Sequence, residues 1–255
     1  MRSFAAGLRF QLTTMRGSIA DFQPLITVPF FTVIFLSITE YAGRPDLAPY
    51  AVLAPTLIAL WGMALLVAGE LIDSERWAGT LEALIATPAS FALVITGRIA
   101  AVTLVSLVAF AETWVVAWAV FGIAVAVPHP ALLLLTVVVT AVAMAGTASM
   151  MSAVFVLARS ARIFQNSLSY PFYVLGGVLV PVALLPGWLQ PLTRVVFLSW
   201  SADLLRDSLS AAPIADPALR LAAVLGLGAA GLGAGIFLLR RVLVRVRALG
   251  TLTYA

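Results

Sequence analysis

The 255-residue sequence contains no cysteine, no lysine and only one histidine. Without cysteine the chain has no disulfides, no thiolate metal sites and no thiol catalysis. A P-loop ATPase needs a lysine on the nucleotide phosphates, so the absence of lysine excludes that type of ATPase from this chain. The lone His129 lies in a Pro-His-Pro stretch and is interpreted as a loop residue. Because no HExxH or GxSxG motif is present either, we expect no metal, no cofactor and no enzymatic activity in the chain itself.

Charged residues are scarce as well, at 10% of the chain, whereas 62% of the residues are hydrophobic. A soluble globular domain is about 25% charged and about 45–50% apolar. One soluble core of this size cannot bury such an excess of apolar side chains, and the mean hydropathy is +1.09. The sequence therefore predicts an all-α integral membrane protein with lipid as its main solvent.

An α-helix needs about 20 mainly apolar residues to cross the hydrocarbon layer of a membrane. The third apolar stretch could run on towards residue 125, and residues 186–210, with their prolines and charged side chains, are predicted to form short helices at the membrane surface. We predict six transmembrane helices, at about residues 23–40, 50–71, 90–112, 131–158, 167–185 and 218–239.

Residues 1–22 have the pattern of an amphipathic helix rather than of a signal peptide, because no continuous apolar stretch follows Arg2. Such a helix is expected to lie on the cytoplasmic surface of the membrane, with its arginines at the level of the headgroups. Packing against a partner protein is an alternative that the sequence leaves open. Five apolar side chains fall on one face of this helix: Phe4, Leu8, Leu12, Met15 and Ile19.

The arginines predict the orientation, because cytoplasmic loops of membrane proteins are enriched in basic residues. If the N-terminus is cytoplasmic, eleven of the 15 arginines lie on the cytoplasmic side. The other four face the exterior: Arg44, Arg194, Arg206 and Arg220. We therefore predict a multi-pass protein of the cytoplasmic membrane with both termini in the cytoplasm.

Residues 72–88, between the second and third predicted spans, form a polar segment that we call the elbow. Gly79 is a helix stop signal, and Thr80 after it can cap a new helix. Thr87-Pro88 is a second start signal, which leaves room for only a short helix at 81–86. We predict that this helix lies across the membrane normal on the cytoplasmic side.

The elbow and its flank are acidic, which is unusual for a segment that faces the cytoplasmic leaflet. A segment that rests on anionic lipid would be basic. The apolar side chains Leu81, Leu84 and Ile85 favour a seat in the groove of a protein partner, and an ordinary solvated loop is the alternative. Four carboxylates stand against Arg76, a local sum of −3: Glu70, Asp73, Glu75 and Glu82.

The elbow resembles the E-x-x-x-G-T-L-E-x-L-x-x-T-P signature of ABC-2 type permeases, the transmembrane subunits of type V ABC exporters. The resemblance extends over nearly the whole chain, with residues 1–22 as a cytoplasmic interfacial helix and 23–255 as the transmembrane domain. SYPFYVLGGVLVP at 169–181 is similar to the family's fifth-span pattern, and 186–210 falls where the family has re-entrant extracellular helices. The length resembles the small branch that includes the daunorubicin-resistance permeases.

The resemblance implies that the elbow carries the coupling helix, which in this family sits in a cleft of a separately encoded ATPase. It implies two ATPase subunits, which bind ATP and Mg, and a second permease subunit, identical or homologous. The expected function is export of a hydrophobic or amphipathic small molecule such as a drug or an antibiotic. Export of polysaccharide or lipid is the alternative, a secondary transporter is less favoured, and no nucleic acid is expected as a partner. The implied coupling residues are Glu75, Gly79, Thr80, Leu81, Glu82, Leu84, Thr87 and Pro88.

Four residues inside the predicted spans are candidates for a substrate path. Glu112 follows Arg98 by about 21 Å of helix, well within the hydrocarbon layer. A carboxyl group there either contacts a cationic or hydroxylated substrate or makes a hydrogen bond between helices. Three aromatic residues in the fifth predicted span either line a substrate path or fill the bundle: Tyr170, Phe172 and Tyr173.

Overall fold

The computed structural model describes residues 2–86, 90–157 and 161–249, and the regular secondary structure in these ranges is helical. The prediction of an all-helical membrane protein is confirmed. Among the described residues, five helical stretches are long and apolar enough to cross a membrane, and they overlap five of the six predicted spans: Ile19–Tyr41, Ala48–Ala68, Phe91–Phe121, Pro130–Phe155 and Pro217–Arg241.

The described part of the chain forms a series of α-helices joined by short turns. The first six are α1 (Arg2–Arg16), α2 (Gln23–Ile26), α3 (Val28–Tyr41), α4 (Ala48–Gly62), α5 (Leu71–Trp77) and α6 (Leu81–Ala86). The others are α7 (Phe91–Ser106), α8 (Val108–Phe121), α9 (Pro130–Leu157), α10 (Ala161–Leu175), α11 (Gln190–Thr193), α12 (Phe197–Ser208) and α13 (Pro217–Leu249). Short 3-10 turns lie at Ile19–Phe22, Pro45–Leu47 and Val182–Leu184, and a π-helical turn at Met63–Ala68 continues α4.

The predicted span 167–185 differs in the structure. In the described part of the chain, helix α10 covers Ala161–Leu175 and so ends ten residues before the predicted end of the span. Gly177, with a φ of +63°, and Pro181 follow it and interrupt the helix. The count of six transmembrane helices therefore stays a prediction.

The second span forms the centre of the bundle. The most apolar 18 residues of Ala48–Ala68 are 89% buried, whereas the most apolar 18 residues of the last span are only 22% buried. Leu57, Leu60 and Trp61 of α4 are fully buried. Trp61 also stacks on Phe172 of α10, with the ring centroids 4.3 Å apart. The chain therefore passes from the middle of the bundle, through the π-helical turn, directly into the elbow.

The N-terminal helix α1 packs on α7 of the same chain. At their crossing, Gly7 and Gly97 let the two backbones touch, since a Cβ on Gly97 would lie 2.2 Å from the Phe4 carbonyl oxygen. The buried residues of α1 are Gly7, Gln11 and Met15. Of the apolar face predicted from the sequence, Met15 is buried, Phe4, Leu8 and Leu12 are half-buried, and Ile19 lies beyond the end of α1 and is exposed. The location of α1 at the cytoplasmic surface stays a prediction.

Residues 186–210 contain the two short helices α11 and α12. Helix α12 packs against α13, α9 and α4, and its apolar side chains, Leu198 and Leu205 among them, are buried. The backbone N–H of His129, which follows the third span, donates to the Ser208 carbonyl at 3.2 Å. This contact places α12 at the end of the bundle opposite the elbow. A re-entrant, extracellular location of these helices stays a prediction.

Candidate functional site

The elbow consists of α5, one tight turn and α6. Gly79, in the turn, has a φ of +68°, a conformation that glycine adopts without the steric cost of a side chain. The Thr80 N–H donates to the Glu75 carbonyl at 3.0 Å, the hydrogen bond that closes a Schellman C-cap. The Leu84 N–H then donates to the Thr80 carbonyl at 3.0 Å, so α6 begins directly after the turn. It covers Leu81–Ala86 and begins where the first start signal predicts, while the second signal, Thr87-Pro88, lies outside the described residues.

The side chain of Glu75 is directed into the protein. Its Oε1 lies 2.5 Å from Nη1 of Arg98 on α7, and the two side chains are 13% and 4% exposed. The Thr80 hydroxyl donates to the other carboxylate oxygen of Glu75. The first acidic residue of the motif therefore ties the elbow to the third span.

Arg98 joins three parts of the chain. Its Nε donates to Oε1 of Gln11 at 2.9 Å, and its guanidinium lies 4.9 Å from the ring centroid of Phe10. Both partners are on α1, so one buried guanidinium holds α1, α5 and α7 together. The planar fork of an arginine can serve a carboxylate and an amide at the same time, which suits it to this position. We call Glu75, Arg98 and Gln11 the elbow cluster.

Arg98 and Gln11 are site residues that were not predicted from the sequence. Arg98 is 87 residues from Gln11 and 23 residues from Glu75, so no local pattern relates the three. The signal that could have found the cluster is Gln11 itself. It is a polar residue four positions from both Gly7 and Met15, on the face of α1 that is buried.

The other predicted coupling residues divide between buried and exposed positions. Leu81 is buried and Leu84 packs partly buried against the core, so both seat α6 on the bundle. Gly79 and Thr80 are exposed, and the corner that they form is accessible to a partner. Thr87, Pro88 and the side chain of Glu82 lie outside the part of the chain that the structure describes.

A cavity of about 510 Å³ lies between α3, α4 and α10. Tyr170 and Tyr173 line it together with Phe31 and Phe35, and the two tyrosine rings meet edge to face, 6.3 Å apart. Phe172 does not line this cavity, because its ring is stacked on a core tryptophan. The described residues of the lining carry no charge, and the polar ones, apart from the tyrosines, are Gln23, Thr27 and Ser169.

A second cavity, of about 240 Å³, lies nearer the end of the bundle opposite the elbow. Phe35 and Leu179 line both cavities, whereas Leu47 and Leu184 line only the smaller one. Glu112 lines neither cavity, and its Oε2 is buried without a hydrogen-bond partner among the described residues. The structure therefore brings two of the four predicted path residues into one cavity and leaves Glu112 and Phe172 outside it. Nowhere in the described ranges do three His, Asp or Glu side chains come together as a metal site would require.

Comparison with known proteins relates these features to a transporter family. The chain matches the family model described as ABC-2 type transporter over residues 8–209. This range runs from α1 to α12 and includes the elbow, the elbow cluster and both cavities. No curated protein matches the chain.

Proposed function

Because this chain belongs to the ABC-2 type transporter family, we propose that it exports hydrophobic or amphipathic small molecules, such as drugs or antibiotics, across the cytoplasmic membrane. The chain is a multi-pass transmembrane permease subunit that works in a complex with an ABC ATPase. We further propose a complex of two ATPase subunits, which bind ATP and Mg, and two permease subunits. A place in the daunorubicin-resistance branch and cytoplasmic termini belong to the same proposal.

The structure of the elbow supports the proposal that the ATPase binds to it. A partner can shift the permease between two states only if it contacts the permease differently in each state. The exposed Gly79–Thr80 corner offers such a contact. Behind it, α5 continues the second span and Arg98 holds α5 to α1 and α7. A displacement of the corner would therefore reach the second span, the third span and the N-terminal helix together.

The larger cavity supports a small amphipathic cargo. Pockets for small molecules have volumes of about 300–1,000 Å³, with apolar and aromatic walls and a few polar groups. The cavity of about 510 Å³ falls in this range, and its described lining is aromatic and uncharged. The residues that we propose to contact cargo are Tyr170 and Tyr173, because both rings face this space. Glu112 could contact cargo only if another subunit or another state brings the two together.

The experiment that tests the proposal combines the chain with candidate ABC ATPases. We expect one of them to co-purify with it and, in liposomes, to hydrolyse ATP faster in the presence of amphipathic compounds. Glu82→Lys and Gly79→Pro are expected to abolish this stimulation while the protein still reaches the membrane. Arg44→Ala, on an exposed loop at the other end of the bundle, is the matched control and should leave stimulation unchanged.

Each outcome separates one part of the proposal from the others. Unchanged stimulation in both elbow variants would contradict the coupling role of the elbow. Stimulation by a polysaccharide or a lipid, and by no amphipathic compound, would overturn the cargo class. Direction is tested with inside-out vesicles, where export predicts ATP-dependent accumulation of the compound in the lumen.

A further inference from the structure

Helix α12 is held firmly at the end of the bundle opposite the elbow. Its Asp207 accepts a hydrogen bond from Nη1 of Arg220 on α13 at 2.6 Å. Its Ser208 carbonyl accepts one from the backbone of His129, just before α9. The helix is thereby tied to both the fourth and the last span.

Arg206 of α12 reaches from this fixed helix to two other elements. Its side chain is 6% exposed, and its Nη2 donates to the carbonyl oxygens of Gly177 and Val178, the second at 3.1 Å. The guanidinium carbon lies 4.9 Å from the ring centroid of Tyr50, at the start of α4. The carboxylate of Asp203, on α12 itself, is 3.7 Å from Nη1. Arg206 therefore contacts the second span and the break after α10 at the same time.

Stability alone does not explain a buried arginine at this position. Its Nε and Nη1 have no hydrogen-bond partner among the described residues. Burying a charge with incomplete hydrogen bonding is unfavourable, and an apolar side chain of similar volume is often as stable or more stable. The unsatisfied donors of Arg206 therefore call for another explanation.

The contacts of Arg206 coincide with the walls of the smaller cavity. Tyr50 and Val178 both line this cavity, and Arg206 contacts the ring of Tyr50 and the carbonyl oxygen of Val178. The smaller cavity shares Phe35 and Leu179 with the larger one. Arg206 thus holds together two walls of the cavity that lies farther from the elbow.

We propose that Arg206 is a latch that keeps Tyr50 and the backbone of residues 177–178 together and so limits the width of the smaller cavity at the end opposite the elbow. Opening at that end requires these contacts to break. Tyr50 is on the span that leads to the elbow, whereas α12 is tied to α13, so a movement of the second span would pull the two sides of the latch apart. Only the interpretation of this opening as the exit for cargo rests on the proposed function.

The absence of cysteine from the chain makes the latch directly testable. Ala54 is buried in the wall of the smaller cavity, and Ala54→Cys introduces a single reporter thiol there. Cells that express the full chain are treated with a membrane-impermeant maleimide, and the labelling rate is measured. Arg206→Gln should raise this rate about tenfold or more, the factor expected for loss of one hydrogen bond to a charged group. Arg44→Cys, in a separate protein, verifies that this end of the bundle faces the reagent.

Three further substitutions, made together with Ala54→Cys, complete the test. Arg206→Lys keeps the charge without the planar fork and should give an intermediate rate. Tyr50→Leu removes the ring beside the guanidinium and should also raise the rate, which covers the case that Arg206→Gln does not fold. Arg194→Gln removes an exposed arginine beside Asp203 at the same end and should leave the rate unchanged.

The outcomes separate the latch from the proposed function. Labelling of Arg206→Gln and Tyr50→Leu at the rate of the parent would overturn the latch. A raised rate in Arg206→Gln together with an intermediate rate in Arg206→Lys supports it, since the measurement needs neither the ATPase nor a known cargo. A raised rate combined with no stimulation of ATP hydrolysis by any compound would retain the latch and reject the export function.

Discussion

Replacing Arg98 by alanine should destabilise the protein by about 3–5 kcal/mol, the cost of leaving a buried charge without its partner. The carboxylate that would be left is that of Glu75, whose side chain is only 13% exposed, so water can replace little of the lost ion pair. The same substitution removes the donor to Gln11, a hydrogen bond that is charge-assisted and contributes about 1.5–3 kcal/mol. The ion pair and the hydrogen bond involve the same guanidinium, so their free energies cannot simply be added.

A double-mutant cycle isolates the ion pair from the rest of the cluster. Glu75→Ala, Arg98→Ala and the double variant are compared by the free energy of unfolding in detergent, followed by tryptophan fluorescence. The double variant leaves neither charge uncompensated, so it should cost less than the sum of the single variants. We expect a coupling energy of about 2 kcal/mol, within the range for side chains in contact.

The chain contains a matched control for this cycle. Arg44 and Asp46 also form an ion pair, with 2.7 Å between Nη2 and Oδ2, but their side chains are 57% and 58% exposed. An exposed pair contributes about 0.2–1 kcal/mol, because water screens it. A coupling energy for Glu75 and Arg98 no larger than that of the control would refute the conclusion that this pair holds the elbow to the third span.

Three other substitutions test the packing around the site by the same unfolding measurement. Gly97→Leu should destabilise the protein by about 1–3 kcal/mol and expose α1 to proteolysis, because its side chain would meet the Phe4 carbonyl; unchanged proteolysis would contradict the close crossing. Gly79→Ala should lower the free energy of unfolding by about 1–2 kcal/mol. The positive φ of Gly79 is the whole cause, since no atom lies within 4 Å of the new Cβ. Gly79→Asn should lower it less, because asparagine tolerates this conformation better than alanine. Trp61→Ala should cost about 3–5 kcal/mol, whereas the exposed Trp188→Ala should change stability by less than about 0.5 kcal/mol; equal costs would place Trp61 outside the core.

The elbow was predictable from the sequence because its signals are local. Gly79 adopts the left-handed conformation that ends α5, and α6 occupies the six residues left before Thr87. A turn of this kind depends on residues within four or five positions of one another. The same motif identified the family, which the match over residues 8–209 confirms. Its contact with an ATPase stays a prediction.

The fifth predicted span shows where hydropathy fails. Residues 176–185 are apolar enough to continue a membrane helix, yet α10 ends at Leu175. The carbonyls of Gly177 and Val178, which the break leaves free, accept hydrogen bonds from Arg206 on α12. The last carbonyls of α10 are capped by the backbone N–H groups of residues 176–179, with Gly177 in the left-handed conformation. Mean hydropathy records neither this local cap nor the bonds from Arg206, which lies 28 or more residues away.

Composition and short-range signals determined by themselves that this is a helical membrane protein of the ABC-2 type transporter family with a bent segment after its second span. Tertiary structure decided which side chains act together. In the sequence Arg98 and Arg206 are distinguished from the other arginines by nothing but position, whereas in the structure both are buried and bound to distant partners. It also decided which face of α1 is buried and that Tyr173 lines a cavity while Phe172 fills the core. The physical reason is that hydropathy and turn preference depend on near neighbours in the chain. Burial and pairing of a charge depend on which helices meet, and that is settled only when the bundle packs.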